Sequence, residues 1–198
     1  MPRSKRKKRK LIPRILIMCE GETERNYFQA IKEDKQFKRK LSALVPYVVK
    51  SKHPTPETVV QEALKKATEE KMQGNDFEKV WVVFDHDNSP KRKIAYNEAL
   101  KNNFDIAFSA ISFEVWFLIH FLKTSKSFKN SKEVVGSLKK YYPEYKKASN
   151  NDFAFLKKYL QTAFKNAEWL RIQNSASPHP TDRTMWVDVD ILVLELIT

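Results

Sequence analysis

The sequence predicts an α/β fold: a mostly parallel sheet of about four strands flanked by helices, with a helical C-terminal third. Three observations predict it. Short apolar and β-branched runs without helical period recur up to Ile111. Segments of 10 to 16 residues with apolar positions at helical spacing separate these runs, as βαβ units require. Beyond residue 123 the strand-like runs give way to helical periodicity.

Ile15-Leu16-Ile17-Met18-Cys19 is apolar throughout, which suits a strand buried on both faces. Glu20-Gly21-Glu22-Thr23 ends it, and Tyr27, Phe28 and Ile31 then fall at helical spacing. Leu44 to Val49 is a second strand candidate, and Pro46, which donates no ladder hydrogen bond, places it at an edge or irregular position. Thr55-Pro56 supplies an N-cap and a proline for the first helical position, with Val59, Val60, Ala63, Leu64 and Ala67 as the apolar stripe. Gly74-Asn75 stops that helix. Val80 to Phe84 is the clearest strand, and it runs into Asp85-His86-Asp87-Asn88. Ser89-Pro90 repeats the cap-and-proline signal and opens a helix to about Asn102. Ile106 to Ile111 is a fourth strand, and Phe113 to Leu122, too long for most strands, reads as a buried helix. In the C-terminal third, Ser131 to Tyr142 and Phe153 to Leu170 each read as one helix. A polar loop, Asn174 to Arg183, precedes an apolar stretch from Met185 to Ile197 that suits either helix or strand.

The length of 198 residues suits one domain, 12–198, with a core over 12–122 and a helical extension over 123–198, behind a flexible basic arm, 1–11. Thirteen Phe, seven Tyr and four Trp exclude a disordered chain, and three Gly with nine Pro exclude collagen-like and low-complexity classes. A single cysteine, Cys19, excludes a disulfide framework and a structural zinc site of the cysteine type, and points to the cytoplasm. No stretch approaches the ~20 apolar residues of a membrane span. Lys and Arg outnumber Asp and Glu by 37 to 24. Arg3, Lys5, Arg6, Lys7, Lys8, Arg9 and Lys10 carry seven of the net +13 with no acid among them. Such a block repels itself and binds a polyanion through counterion release, which makes it a candidate nucleic-acid contact.

In open parallel sheets, ligands bind outside the carboxyl ends of the strands, where strand order reverses. Acids fall at those ends: Glu20 and Glu24 after the first strand, Asp85 and Asp87 after the third, Glu114 after the fourth. Asp85 and Asp87 face the same way if strand geometry persists through His86. Glu114 is a lone charge within Ser112-Phe113-Glu114-Val115-Trp116-Phe117-Leu118-Ile119, costly to bury unless paired. Two unit charges about 4 Å apart repel by roughly 4 kcal/mol at an effective dielectric of ~20. A divalent cation among them offsets that repulsion, and oxygen ligands without clustered Cys or His favour Mg²⁺ or Mn²⁺ over zinc. Such ions clamp the attacking and leaving oxygens of phosphoryl transfer.

Plainer readings stand beside these. Glu22 and Glu24 taken alone are helix-start residues, and Asp188 and Asp190, a second D-x-D, read as helix-start or solvent-facing. His120 reads as a hydrogen-bonded core residue, and His86 points away from its flanking aspartates. Gly21, Gly74 and Gly136 cannot build G-x-G-x-x-G or a P-loop. Lysines 123, 126, 129, 132, 139, 140, 146 and 147 form a basic stretch interleaved with Tyr141, Tyr142 and Tyr145, which are placed to stack unpaired bases. The same stretch also reads as an ordinary solvated helix face.

The run Cys19-Glu20-Gly21-Glu22-Thr23-Glu24-Arg25-Asn26-Tyr27-Phe28, then Val80 to Asp87, then Phe113-Glu114-Val115-Trp116-Phe117-Leu118-Ile119-His120-Phe121, resembles the RloB family of the Toprim-like superfamily. The resemblance covers most of 12–198 and implies a Rossmann-like Toprim core with metal-dependent phosphodiester chemistry. It also implies association with restriction and phage-defence loci, sometimes beside an ATPase partner. By likeness to the overcoming-lysogenization-defect nucleases, Glu20 and Glu24 would hold one metal, and Asp85, Asp87, Ser112 and Glu114 another. Glu20 would also be the general acid/base.

The expected function is therefore a Mg²⁺- or Mn²⁺-dependent nuclease acting on DNA or RNA. Glu20, Asp85, Asp87 and Glu114 would be catalytic, and the arm with Lys139 and Lys140 would hold the nucleic-acid backbone. Two alternatives remain open at this stage: a non-catalytic nucleic-acid-binding subunit of a defence complex, and a phosphatase with Asp85 as nucleophile.

Overall fold

A computed structural model describes residues 12–41, 44–174 and 179–198. The basic arm, with Arg3, Lys5, Arg6, Lys7, Lys8, Arg9 and Lys10, lies outside the described residues.

The apolar runs become β1 (Arg14–Cys19), β2 (Val45–Lys50), β3 (Lys79–Asp85) and β4 (Asp105–Ala110), joined by β5 (Trp186–Val187). The sheet order is β2-β1-β3-β4-β5, with the first four strands parallel and β5 antiparallel to β4. Pro46 does lie in an edge strand, paired opposite Ile15. Strand period two sorts side chains between two layers. Leu16, Met18, Val80, Val82, Phe84 and Phe108 pack against α3 (Pro56–Met72) and α4 (Arg92–Lys101). Ile15, Ile17, Cys19, Trp81, Val83 and Ala107 face α1 (Glu22–Glu33), α5 (Glu114–Leu118) and the C-terminal helices.

The direction of winding follows from this order. From β1 the chain crosses through α1 to β2 at the edge, then returns through α3 past β1 to β3. Right-handed crossovers in opposite directions put α1 and α3 on opposite faces, and the reversal opens a crevice between the carboxyl ends of β1 and β3.

Several elements are shorter than their apolar pattern. α4 starts at Arg92, after a turn that the Ser89 amide closes onto His86 O at 2.8 Å. α5 ends at Leu118, where the carbonyl of Trp116 pairs with His120 Nδ1 and that of Ile119 accepts from Asn166 Nδ2, each at 2.8 Å. A short α2 spans Lys38–Leu41, and α6 (Ser131–Leu138) stops before Pro143, which disfavours helix in the residue preceding it. The expected Phe153–Leu170 helix is α7 (Asp152–Leu156), a 3₁₀ turn (Lys157–Tyr159) and α8 (Leu160–Gln173). The Met185–Ile197 stretch proves to be both alternatives, β5 and then α9 (Val189–Ile197). No helix among the described residues is long and apolar enough to cross a membrane.

Candidate functional site

Glu20 is the first residue beyond β1. Its amide donates to Val83 O at 2.9 Å, and its Oε2 accepts from the Asp85 amide at 3.2 Å, bridging the ends of β1 and β3. Asp85 Oδ2 in turn accepts from the Phe113 amide at 3.3 Å, which ties β3 to the segment after β4. Glu24, in the first turn of α1, is buried, and its carboxyl lies over Gly21: a Cβ there would come within 2.6 Å of Glu24 Oε2. Glu114, only 2% exposed, opens α5 and accepts from the Tyr145 hydroxyl at 2.8 Å.

Asp87 departs from expectation. Strand geometry ends at Asp85, and His86 to Ser89 form a turn whose central residues, Asp87 and Asn88, have φ of 29° and 54°. Asp and Asn tolerate such left-handed backbone. Asp87 is exposed in that turn, so its side chain is not carried in line with that of Asp85. His86 lies buried on the other side, its Nδ1 accepting from the Asn88 amide at 3.1 Å, and burial pushes its pKa down to about 4.

The acids lie within electrostatic range of one another. Burial pushes Glu20 up to about 7, the charges of Glu24, Asp87 and Glu57 add to this, and the Asp85 amide opposes it. Glu24 rises to about 7 by burial and then by the charge of Glu114, with its own amide, Lys147 and the Gly21 amide opposing. Asp85 is pushed well above the carboxylate range by burial, then by Glu20, Glu24, Asp87 and Glu114 together. Residues distant in sequence thus share one end of the sheet.

The chain matches the family model "RloB-like protein" over residues 15–196. It belongs to the RloB-like family. No curated protein and no solved structure matches it.

In this RloB-like protein the acids lack cationic partners. None of Glu20, Glu24, Asp85, Asp87 and Glu114 takes part in an ion pair among the described residues. The second D-x-D is built otherwise. Asp190 is held by Arg171 at 2.6 and 2.8 Å, and Asp188, at the N-cap of α9, accepts from Trp186 Nε1 at 2.7 Å. Both are buried at a helix start rather than solvent-facing.

The donor set fits a hard cation in type. It is all oxygen, and Ser112 Oγ is buried with no hydrogen-bond partner among the described residues, an orphaned donor-acceptor at the mouth of α5. The side chains are turned to protein donors, and no three of the acids and histidines among the described residues are grouped closely enough to hold an ion as they stand.

The C-terminal extension reaches this site. The Ala148 amide donates to Thr23 Oγ1 at 3.1 Å and Asn26 Nδ2 donates to Ala148 O at 2.8 Å, which docks the segment carrying Tyr145 and Lys147 onto α1. A cleft of about 490 Å³ lies beside it, lined by Glu114, Tyr145, Val135, Ser131 and the lysines 132, 139, 146 and 147. Lys139 therefore lines the same cleft as Glu114, whereas Lys140, also exposed, is not among the lining residues. The tyrosines are a correction. Tyr145 and Tyr142 are buried, with Tyr142 donating to Asp152 Oδ1 at 3.1 Å and stacked on Phe155 at 4.2 Å, so neither is free to stack a base. Tyr141 is exposed and lies parallel to Phe121 at 5.8 Å.

Sequence reading missed one partner of Glu114 and one acid within range of its charge. Tyr145 carries no local sign that its hydroxyl reaches a residue 31 positions away. Asp152, buried at the start of α7, is pushed up to about 6 by burial and by the charge of Glu114, with the Tyr142 hydroxyl opposing.

Proposed function

We propose that this protein is a Mg²⁺- or Mn²⁺-dependent nuclease hydrolysing phosphodiester bonds in DNA or RNA. One observation carries the reading: Glu20, Glu24, Asp85 and Glu114 share one end of the sheet at the switch point, Glu24 and Glu114 buried and Glu20 and Asp85 half-buried, and none of them forms an ion pair among the described residues. Buried unpaired carboxylates are costly, and a divalent cation is the partner that this oxygen-only set selects.

Glu20 and Glu24 would hold one ion, and Asp85, Ser112 and Glu114, with Asp87 from the turn, a second where two are bound. When bound, the metal supplies Lewis-acid stabilisation of charge on the phosphoryl oxygens. The remaining work falls to the chain. The Asp85 amide holds Glu20 Oε2, leaving Oε1 to take a proton from the attacking water or return one to the leaving oxygen. Without metal, burial raises the Glu20 pKa to about 7, and a cation held beside it would favour the carboxylate that accepts the proton. Lys139 and its neighbours in the cleft hold the phosphate backbone. The proposal extends to phage defence or restriction beside an ATPase partner, on the strength of the family resemblance.

The test is incubation with plasmid, single-stranded DNA and RNA, with and without Mn²⁺. Wild type cuts only with the metal, and Asp85→Ala abolishes cutting while leaving binding largely intact. Equal cutting by both proteins overturns the assignment. Binding without cutting by wild type would favour the non-catalytic subunit, and phosphate release from small phosphomonoesters alone would favour the phosphatase.

A further inference from the structure

The cleft that borders Glu114 has a shape and a charge that the acids alone do not explain. One wall is α6 and its C-terminal cap, with Ser131, Lys132, Val135 and Lys139, and the other is the Tyr145–Lys147 segment. None of the lysines 132, 139, 146 and 147 takes part in an ion pair among the described residues, although Lys66, Lys79, Lys91, Lys93 and Lys157 elsewhere on the surface do. Four ammonium groups without an ion pair, set around one cavity, repel one another, and a polyanion relieves that repulsion.

The acid at the base of this cleft is recessed. Glu114 is 2% exposed and Tyr145, which holds it, is 2% exposed, so a phosphate must enter the cleft to approach them. A cavity of about 490 Å³ is of small-molecule size, enough for about one or two nucleotides and too small for the stacked cylinder of a duplex. An unpaired strand can lay its backbone between the two lysine-bearing walls, whereas a duplex can offer the rim only its outer phosphates.

We infer that the Lys132–Lys139–Lys146–Lys147 cleft is a subsite for a single nucleic-acid strand, unpaired where it passes Glu114. This deepens the nuclease reading and rests on it for the chemistry at Glu114. The lysines act on phosphates, so the subsite discriminates by strandedness rather than by base sequence.

The test is equilibrium binding of the full chain in EDTA, followed by fluorescence anisotropy over a salt series. The probes are a short labelled single strand, as DNA and as RNA, and a dumbbell duplex closed at both ends. For Lys146→Ala/Lys147→Ala, the salt slope on single strands falls by about 1.4, which makes binding about 25-fold weaker at about 0.1 M salt if the proteins converge at about 1 M. Binding to the dumbbell stays within about twofold of wild type, because the duplex does not enter the cleft. Equal losses on both probes, or no loss on single strands, overturn the inference. A melting curve confirms that the double variant is folded, and Lys132→Ala/Lys139→Ala gives the same readout from the opposite wall. Cutting is absent in EDTA, so this result stands apart from the nuclease reading, which fails or holds on the Mn²⁺ assay alone.

Discussion

The Tyr145 hydroxyl donates a 2.8 Å hydrogen bond to Glu114 Oε1, so a residue of the C-terminal extension orients a carboxyl group at the end of the sheet. Burial, followed by the charge of Glu114, pushes the Tyr145 phenol upward, which keeps it a donor at ordinary pH. Tyr145→Phe leaves Glu114 Oε1 buried without its partner and should cost roughly 1–3 kcal/mol of stability. Urea denaturation measures that loss, and calorimetric titration with Mn²⁺ should show weaker affinity as Glu114 loses its orientation. Unchanged values in both would mean that the bond is incidental.

The raised pKa of Glu24 sets the direction of a pH dependence. A carboxyl group whose folded pKa, about 7, exceeds its ordinary value of 4.5 binds more protons in the native state between those values. Its contribution is full below pH 4.5 and is lost as pH rises through about 7. Metal-free wild type should therefore lose stability relative to Glu24→Gln between about pH 5 and 8, by up to roughly 3 kcal/mol. Parallel stability curves for the two proteins would refute the buried, acid-crowded setting of Glu24. At pH 8, Mn²⁺ at about 100 times its dissociation constant should restore about 2.7 kcal/mol to wild type.

Gly21 is required by close approach rather than by backbone conformation, since its φ of −119° is open to any residue. In Gly21→Ala the new Cβ would sit 2.6 Å from Glu24 Oε2, so the carboxyl, the mobile end of its side chain, must swing aside. The expected outcome is a fold within about 1 kcal/mol of wild type and a clear loss of Mn²⁺ affinity. Retained affinity would remove Glu24 from the ligand set.

Arg171 tests the opposite case, a buried acid that does have its cation. Arg171→Met leaves Asp190, 2% exposed, and the neighbouring Asp188 without their guanidinium. Breaking such a pair costs about 3–5 kcal/mol, and thermal melting should show it. Binding of Mn²⁺ to the folded variant should remain at the wild-type level, because this pair lies outside the acid cluster.

Local signals were read well where a local cause acted. Pro46 marked an edge strand because it lacks an amide, and β2 is at the edge. Thr55-Pro56 marked a helix start, and Thr55 Oγ1 accepts from the Thr58 amide at 3.4 Å. Cys19 is buried and His120 is hydrogen-bonded within the core, as their surroundings in sequence suggested. The misreadings share another cause. Apolar periodicity continues through Phe153–Leu170, yet the 3₁₀ turn at Lys157–Tyr159 divides it, and α7 packs near α1 while α8 packs near α5 and α9. β5 has only two residues, and its pairing of Ala110 with Trp186 depends on a partner far along the chain.

By itself the sequence determined the βαβ order, the strand ends and hence which acids could meet. Those features follow from side-chain period, β-branching and the chemistry of proline and glycine, all of which act within a few residues. Tertiary structure alone decided that Asp87 turns away from the strand line, that Tyr145 and Asp152 sit behind Glu114, and that lysines from α6 and the following loop enclose a cleft. The reason is physical: these arrangements depend on burial and on contacts between segments tens of residues apart, whose strength is set by what the folded core leaves without water or a partner.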